Sequence, residues 1–162
     1  LDEATGLIND LISENTTDGK FITFFWGIFD NETKVLNYVN AGHNPPLLIR
    51  DGKIIKLEKG GIILGVMKTF TPYLSESVNL QKDDVIVLFT DGITEAKNTK
   101  DDEFSDEKLE MLALSLSSSI SIGSERPHSA DEILTAIQSE VKAFASGADQ
   151  SDDITLLVIK VK

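Results

Sequence analysis

Two acidic positions in this sequence could together hold a metal ion. Asp91 follows directly after the apolar run 85–90, and Asp152 and Asp153 stand at the start of the β-branched run 153–162. If these runs are neighbouring antiparallel strands, the end of one lies beside the start of the other. Asp91 and Asp152 would then meet at one rim of a sheet. Carboxylate oxygens are ligands that hard cations such as Mg²⁺ or Mn²⁺ prefer.

Metal ions at such a rim would suit the hydrolysis of a phosphate ester. Two carboxylates ~4 Å apart repel each other by roughly 4 kcal/mol at an effective dielectric constant of about 20, so a proton or a cation has to lie between them. A metal ion acidifies its bound water, and two ions ~3.5 to 4 Å apart suit in-line attack on phosphorus. For either aspartate alone, a structural or solvated role is the simpler interpretation, because Asp-Gly pairs such as Asp51 and Gly52 are common in turns.

Other candidate residues fit catalytic chemistry less well. His43, in "NAGHNPP", could approach the same rim or be an ordinary structural histidine, and it lacks the spacing of a zinc motif. An aspartyl nucleophile at Asp91 is excluded, because Phe89 and Ile93 stand where that chemistry needs a second aspartate. The sequence has no Cys, which excludes thiolate metal sites and Cys nucleophiles.

The composition indicates an acidic globular domain. The 162 residues include 15 Lys and Arg against 27 Asp and Glu, a net charge of −12 that opposes binding to nucleic acids. A chain of this length is expected to form one domain with its own core. No apolar run approaches the ~20 residues that span a bilayer, so a cytoplasmic location is the default expectation.

Hydrophobic periodicity predicts the elements that position these aspartates. Strands are grouped first and helices later, with hairpin turns between strands, so we expect an α+β fold with mainly antiparallel sheets. The glycines Gly60, Gly61 and Gly65 are predicted to form bends. Helices are predicted over residues 1–14, from about 105, and over 129–145, and strands over 21–30, 35–40, 47–50, 53–57, 73–80, 85–90 and 153–162.

Three motifs occur in a characteristic order: "NAGHNPPLL", "TDGITEA" and "SDDITLL". In this combination the sequence resembles the bacterial SpoIIE/RsbU-like branch of the metal-dependent (PPM) serine/threonine protein phosphatases. The resemblance implies an αββα sandwich with a two-metal Mn²⁺ or Mg²⁺ centre, where metal-activated water attacks phosphoserine or phosphothreonine. It further implies that Asp91 and Asp152 bind metal and that Gly92 lets the chain turn beside it. Asp153 is the less favoured ligand, because successive strand residues point to opposite faces.

One part of the family pattern has no counterpart in residues 1–21. The family carries a bridging aspartate in a segment that reads roughly Asp-Gly-x-Gly-His-Gly. The resemblance therefore implies that residues 1–162 are the C-terminal two-thirds of one phosphatase domain, a partial αββα sandwich that binds metal weakly and is inactive alone. An uncovered apolar face and sheet edge would favour a homodimer.

The resemblance also implies partners. These are a phosphorylated signalling protein as substrate, such as an anti-sigma-factor antagonist, and a sensory domain upstream in the parent chain. The N-terminal helix would be either an ordinary packing helix or a switch that aligns the metal centre. The alternative function is a non-catalytic module that keeps the fold for partner binding.

Overall fold

The α+β class and the mainly antiparallel pairing are confirmed. The computed structural model describes residues 1–16, 19–117, 128–150 and 152–162. None of the helices in these ranges is long and apolar enough to cross a membrane. The helices are α1 (Asp2–Asn15), α2 (Asp91–Thr94), α3 (Asp106–Ser117) and α4 (Ala130–Phe144), and the strands are β1 (Phe24–Asp30), β2 (Val35–Ala41), β3 (Leu47–Arg50), β4 (Lys53–Lys56), β5 (Gly60–Gly61), β6 (Glu76–Asn79), β7 (Val85–Phe89) and β8 (Leu156–Lys160).

The chain forms two compact units, and the first comprises Leu1–Pro45 and Leu57–Gln81. Its sheet has the order β1-β2-β5, with β6 also pairing with β2. The predicted hairpin of β1 and β2 is confirmed by their antiparallel pairing. Ile8 and Ile12 of α1 pack against the buried core of this unit, which consists of Val39, Ala41, Leu64 and Tyr73.

Polar bonds fix α1 to the segment that follows Leu64. Asn9 accepts a hydrogen bond from the Gly65 backbone N–H (2.9 Å) and donates to the Met67 carbonyl (2.9 Å). The carboxylate of Asp10 accepts from the Thr69 N–H at 2.6 Å. Asn9 is fully buried, so these bonds satisfy a side chain that would otherwise destabilise the fold. These contacts are those of a packing helix, and a switch role for α1 stays a prediction.

The second unit comprises Pro46–Lys56 and Lys82–Lys162, and its sheet has the order β4-β3-β7-β8. Asp51 (φ 50°) and Gly52 (φ 70°) connect β3 and β4 with the positive φ angles of a type I′ turn. β7 lies between β3 and β8, and four of its five residues are buried, so this strand is covered on both faces. Helices α3 and α4 complete this core with Leu109, Ile133 and Ile137.

Two predicted bends are wrong. Gly60 and Gly61 form β5, a short strand parallel to β2. A Cβ atom on Gly60 would collide with the backbone of Asn40, so this glycine is explained by close approach of two strands and not by a turn. Gly65 has a φ of +89°, as a bend requires. Residues 117–128, whose serine-rich composition predicts a loop, lie largely outside the described residues.

Candidate metal centre

The ends of β7 and β8 form one rim of the second unit's sheet. The strands pair antiparallel from Val85 opposite Lys160 to Phe89 opposite Leu156, which confirms that they are neighbours. Asp91 lies two residues beyond Phe89, and Asp152 lies four residues before Leu156. The strand pairing therefore directs both aspartates toward the same rim.

Thr90 joins the two chain segments at this rim. Its backbone N–H donates to the Thr155 carbonyl (3.1 Å), and its hydroxyl accepts from the Thr155 N–H (2.9 Å). The same hydroxyl donates to the Asp153 carbonyl at 3.0 Å. Thr90 thus fixes the segment on each side of the candidate ligands. Sequence reasoning missed this residue, although its place between the strand and the Asp-Gly pair was a usable signal.

Asp91 does not continue the strand but begins α2, a single helical turn. Gly92, the next residue, is buried, and its amide donates to Asp91 Oδ1 at 3.0 Å. A Cβ atom at Gly92 would lie 2.5 Å from the Asp153 carbonyl oxygen and 3.3 Å from that of Asp152. Gly92 has no positive φ and lies in the single helical turn that follows β7, so its expected role of letting the chain turn beside a metal ion stays a prediction. The glycine is needed because two backbone segments approach closely.

The position of Asp152 and Asp153 also differs from the prediction. β8 begins only at Leu156, so strand alternation cannot decide between these two aspartates. Asp152 Oδ1 accepts from the Asp153 N–H (2.7 Å), and the Asp152 carbonyl accepts from the Gln150 amide (2.8 Å). The side chains of Asp91, Asp152 and Asp153 are all exposed. The preference for Asp152 over Asp153 therefore rests on the motif alone.

The donors at this rim fit a hard cation only in part. Exposed carboxylates suit Mg²⁺ or Mn²⁺, which keep several water ligands. Among the described residues, however, there is no group of three or more His, Cys, Asp or Glu side chains arranged to hold a metal ion. Asp91 and Asp152 would therefore supply part of a coordination sphere, and further ligands would have to complete it.

His43 lies in the first unit and is held by hydrogen bonds. Its ring Nδ1 is 3.1 Å from the Thr23 hydroxyl, and its backbone N–H donates to Asn40 Oδ1 at 2.8 Å. Its carbonyl accepts from the Asn40 side-chain amide at 3.0 Å. These contacts fit the structural interpretation of His43, and a role beside a metal ion stays a prediction.

Comparison with known proteins identifies the family. Protein IcfG of Synechocystis sp. (strain PCC 6803) is 29% identical over 159 residues, which are 96% of this chain and 23% of that protein. Phosphoserine phosphatase RsbU of Bacillus subtilis is 32% identical over 92 residues, which are 56% of this chain and 27% of RsbU. The chain thus spans about a quarter of the length of these relatives.

A solved structure shows the same fold. The Mn-presoaked phosphatase domain of SpoIIE from Bacillus subtilis superimposes with a TM-score of 0.65 at 21% identity, covering 100% of this chain and 68% of that one. The sequence model of the family described as "Stage II sporulation protein E (SpoIIE)" matches residues 1–162. This chain therefore belongs to the SpoIIE family.

Proposed function

We propose that this chain is part of a metal-dependent protein serine/threonine phosphatase domain, with Asp91 and Asp152 as metal ligands. The observation that carries this proposal is the close approach of the Asp91-Gly92 backbone to Asp152 and Asp153, at the joined ends of β7 and β8. The phosphatase names of RsbU and of the SpoIIE domain support it. The proposed substrate is a phosphoserine or phosphothreonine of a signalling protein, such as an anti-sigma-factor antagonist.

In this proposal the residues of this chain hold the metal ligands in place, and the metal ions supply the chemical reactivity. When bound, Mn²⁺ or Mg²⁺ would supply Lewis acidity and a water of lowered pKa for attack on phosphorus. Thr90 holds the Asp153 carbonyl, and Gly92 allows the two ligand-bearing segments to approach. Among the residues that the structure describes, no three His, Cys, Asp or Glu side chains are grouped so that they could hold a metal ion. From the family resemblance, we propose that a bridging aspartate and the remaining third of the domain lie in sequence outside residues 1–162.

Metal binding tests this proposal directly. Calorimetric titration with Mn²⁺ should show weak binding to residues 1–162 and tight binding to a chain extended on the amino-terminal side. Hydrolysis of a phosphoserine peptide should appear only in the extended chain. Asp91→Asn and Asp152→Asn should each abolish tight binding in the extended chain, whereas Asp51→Asn, in the other Asp-Gly pair, should leave it unchanged.

Two results would each contradict one part of this proposal. If the extended wild-type chain binds no metal, a non-catalytic partner-binding module becomes the better interpretation. Robust Mn²⁺-dependent hydrolysis by residues 1–162 alone would instead contradict the proposed division of the domain. Asp153→Asn distinguishes the roles of the two neighbouring aspartates. If Asp152 is the metal ligand, this substitution should weaken Mn²⁺ binding less than Asp152→Asn does.

A further inference from the structure

A groove of about 650 Å³ opens beside the rim that carries Asp91. Its lining includes Gly92 and Ile93 of α2, the C-terminal end of α4 and the segment 145–150. All of the lining residues belong to the second unit, so the groove is a feature of that unit alone. Since Gly92 directly follows Asp91, the groove begins one residue from a proposed metal ligand.

The lining of the groove combines an apolar floor with lysines. Ile93 and Val141 are buried in the floor, and Ile154 leaves 38% of its surface exposed there. Lys97 and Lys142 also line the groove, with Asp149 as an opposing charge.

The two lysines differ in their partners. Lys142 makes no ion pair with any residue that the structure describes. Lys97 Nζ lies 3.7 Å from Asp101 Oδ1 in an exposed pair, which contributes little. The groove lining thus carries two lysines against one aspartate, in a chain whose net charge is −12.

We propose that this groove binds the segment of the substrate protein next to its phosphorylated residue. An apolar side chain of that segment would cover Ile154, and an acidic side chain would pair with Lys142 or Lys97. Charge complementarity selects an acidic flanking segment over a basic one. This inference rests on the proposed function, because only a phosphoprotein bound at Asp91 would bring its flanking residues to the groove.

Peptide binding tests the groove without relying on catalysis. Three fluorescein-labelled phosphoserine peptides, alike except for a flank that is apolar and acidic, alanine-only, or basic, would be titrated with residues 1–162 in excess Mn²⁺. Fluorescence anisotropy should show the tightest binding for the apolar and acidic flank. Lys142→Glu should weaken that complex on the order of 5- to 10-fold, because charge reversal replaces attraction by repulsion. The same variant should leave the peptide with the basic flank no weaker.

Two further variants complete the test. Ala148→Phe, which places a bulky ring in the groove lining, should weaken the same complex, and far-UV circular dichroism would confirm that it is folded. Lys53→Glu is the matched control, because Lys53 is an exposed lysine of the same unit that lies in β4 and outside the groove lining. The inference is overturned if no flank preference exists, if Lys142→Glu leaves binding unchanged, or if Lys53→Glu weakens it equally.

The phosphatase proposal has its own readout. Phosphate release from p-nitrophenyl phosphate, which carries no flanking peptide, tests the catalytic function of the extended chain separately. Lys53→Glu, outside the groove lining, should not change the rate with this small substrate. Loss of flank preference with intact p-nitrophenyl phosphate hydrolysis would overturn the groove alone.

Discussion

Replacing Gly92 by alanine should disturb the rim of the second unit more than its single methyl group suggests. The added Cβ would lie 2.5 Å from the Asp153 carbonyl oxygen, whereas ordinary contacts begin near 3.4 Å, so the two segments would have to separate by about 0.9 Å. Overpacking of this kind costs about 1 to 3 kcal/mol of unfolding free energy. The shift would displace the backbone that carries Asp152 and Asp153.

Two measurements follow from this displacement. The urea midpoint of residues 1–162 should fall, and the thermal midpoint should drop by roughly 3 to 10 °C. In the extended chain, a misplacement of about 1 Å should reduce hydrolysis by roughly 10²-fold. The shift would also lengthen the hydrogen bond that the Thr90 hydroxyl donates to the Asp153 carbonyl, which is 3.0 Å in this structure.

A second glycine, Gly6, provides a control, because its replacement by alanine should raise the free energy of unfolding and not lower it. Gly6 lies inside α1, and a Cβ there would meet nothing closer than Thr69 at 3.6 Å. Gly6→Ala should therefore stabilise the chain by about 0.5 to 1 kcal/mol, because alanine is the better helix former. The reasoning about the rim would be refuted if Gly92→Ala matched the wild type in urea midpoint and in hydrolysis.

Three further substitutions test other parts of the structure. Asp84→Ala removes the buried carboxylate to which the Arg50 guanidinium donates two hydrogen bonds, of 2.9 and 2.6 Å. Urea unfolding should show that the free energy of unfolding falls by about 3 kcal/mol, and a fall of less than about 1 kcal/mol would contradict a stabilising role for this ion pair. Ser129→Ala breaks the capping box of α4 and should lower the thermal midpoint by the ~2 to 4 °C that about 1 kcal/mol represents. The hydrogen bond from the Thr69 N–H lowers the pKa of the Asp10 carboxyl group. The ionised carboxylate therefore stabilises the folded chain above about pH 4, and this stabilisation is lost as the pH falls through the lowered pKa. Urea unfolding between pH 7 and 3 should therefore show a steeper loss for the wild type than for Asp10→Asn, and parallel curves would contradict it.

The elements that sequence predicted well are those whose signals are local. The Asp51-Gly52 pair by itself favours a type I′ hairpin, and Ser129 followed by an acidic turn is enough to start a helix. The neighbouring β7 and β8 could be inferred because each is a long apolar run. In these places, nearby residues determine the backbone and distant contacts only confirm it.

The elements that were missed depend on contacts distant in sequence. α2 has four residues, too few to show helical periodicity, and Gly92 gains its meaning only from Asp153, which lies 61 residues later. Gly60 is likewise explained by β2 and not by its own neighbours. An Asp-Gly pair in sequence does not distinguish a turn from a close approach, because glycine permits both.

The Asp51-Gly52 and Asp91-Gly92 pairs have different structural causes. At Asp51 the glycine follows because the turn between β3 and β4 needs a positive φ. At Asp91 the glycine follows because another segment, carrying Asp152, has to come within contact distance. The same dipeptide thus marks a hairpin in one place and the meeting of two candidate ligands in the other. The strand pairing of β7 with β8, and not the dipeptide, is what separates the two cases.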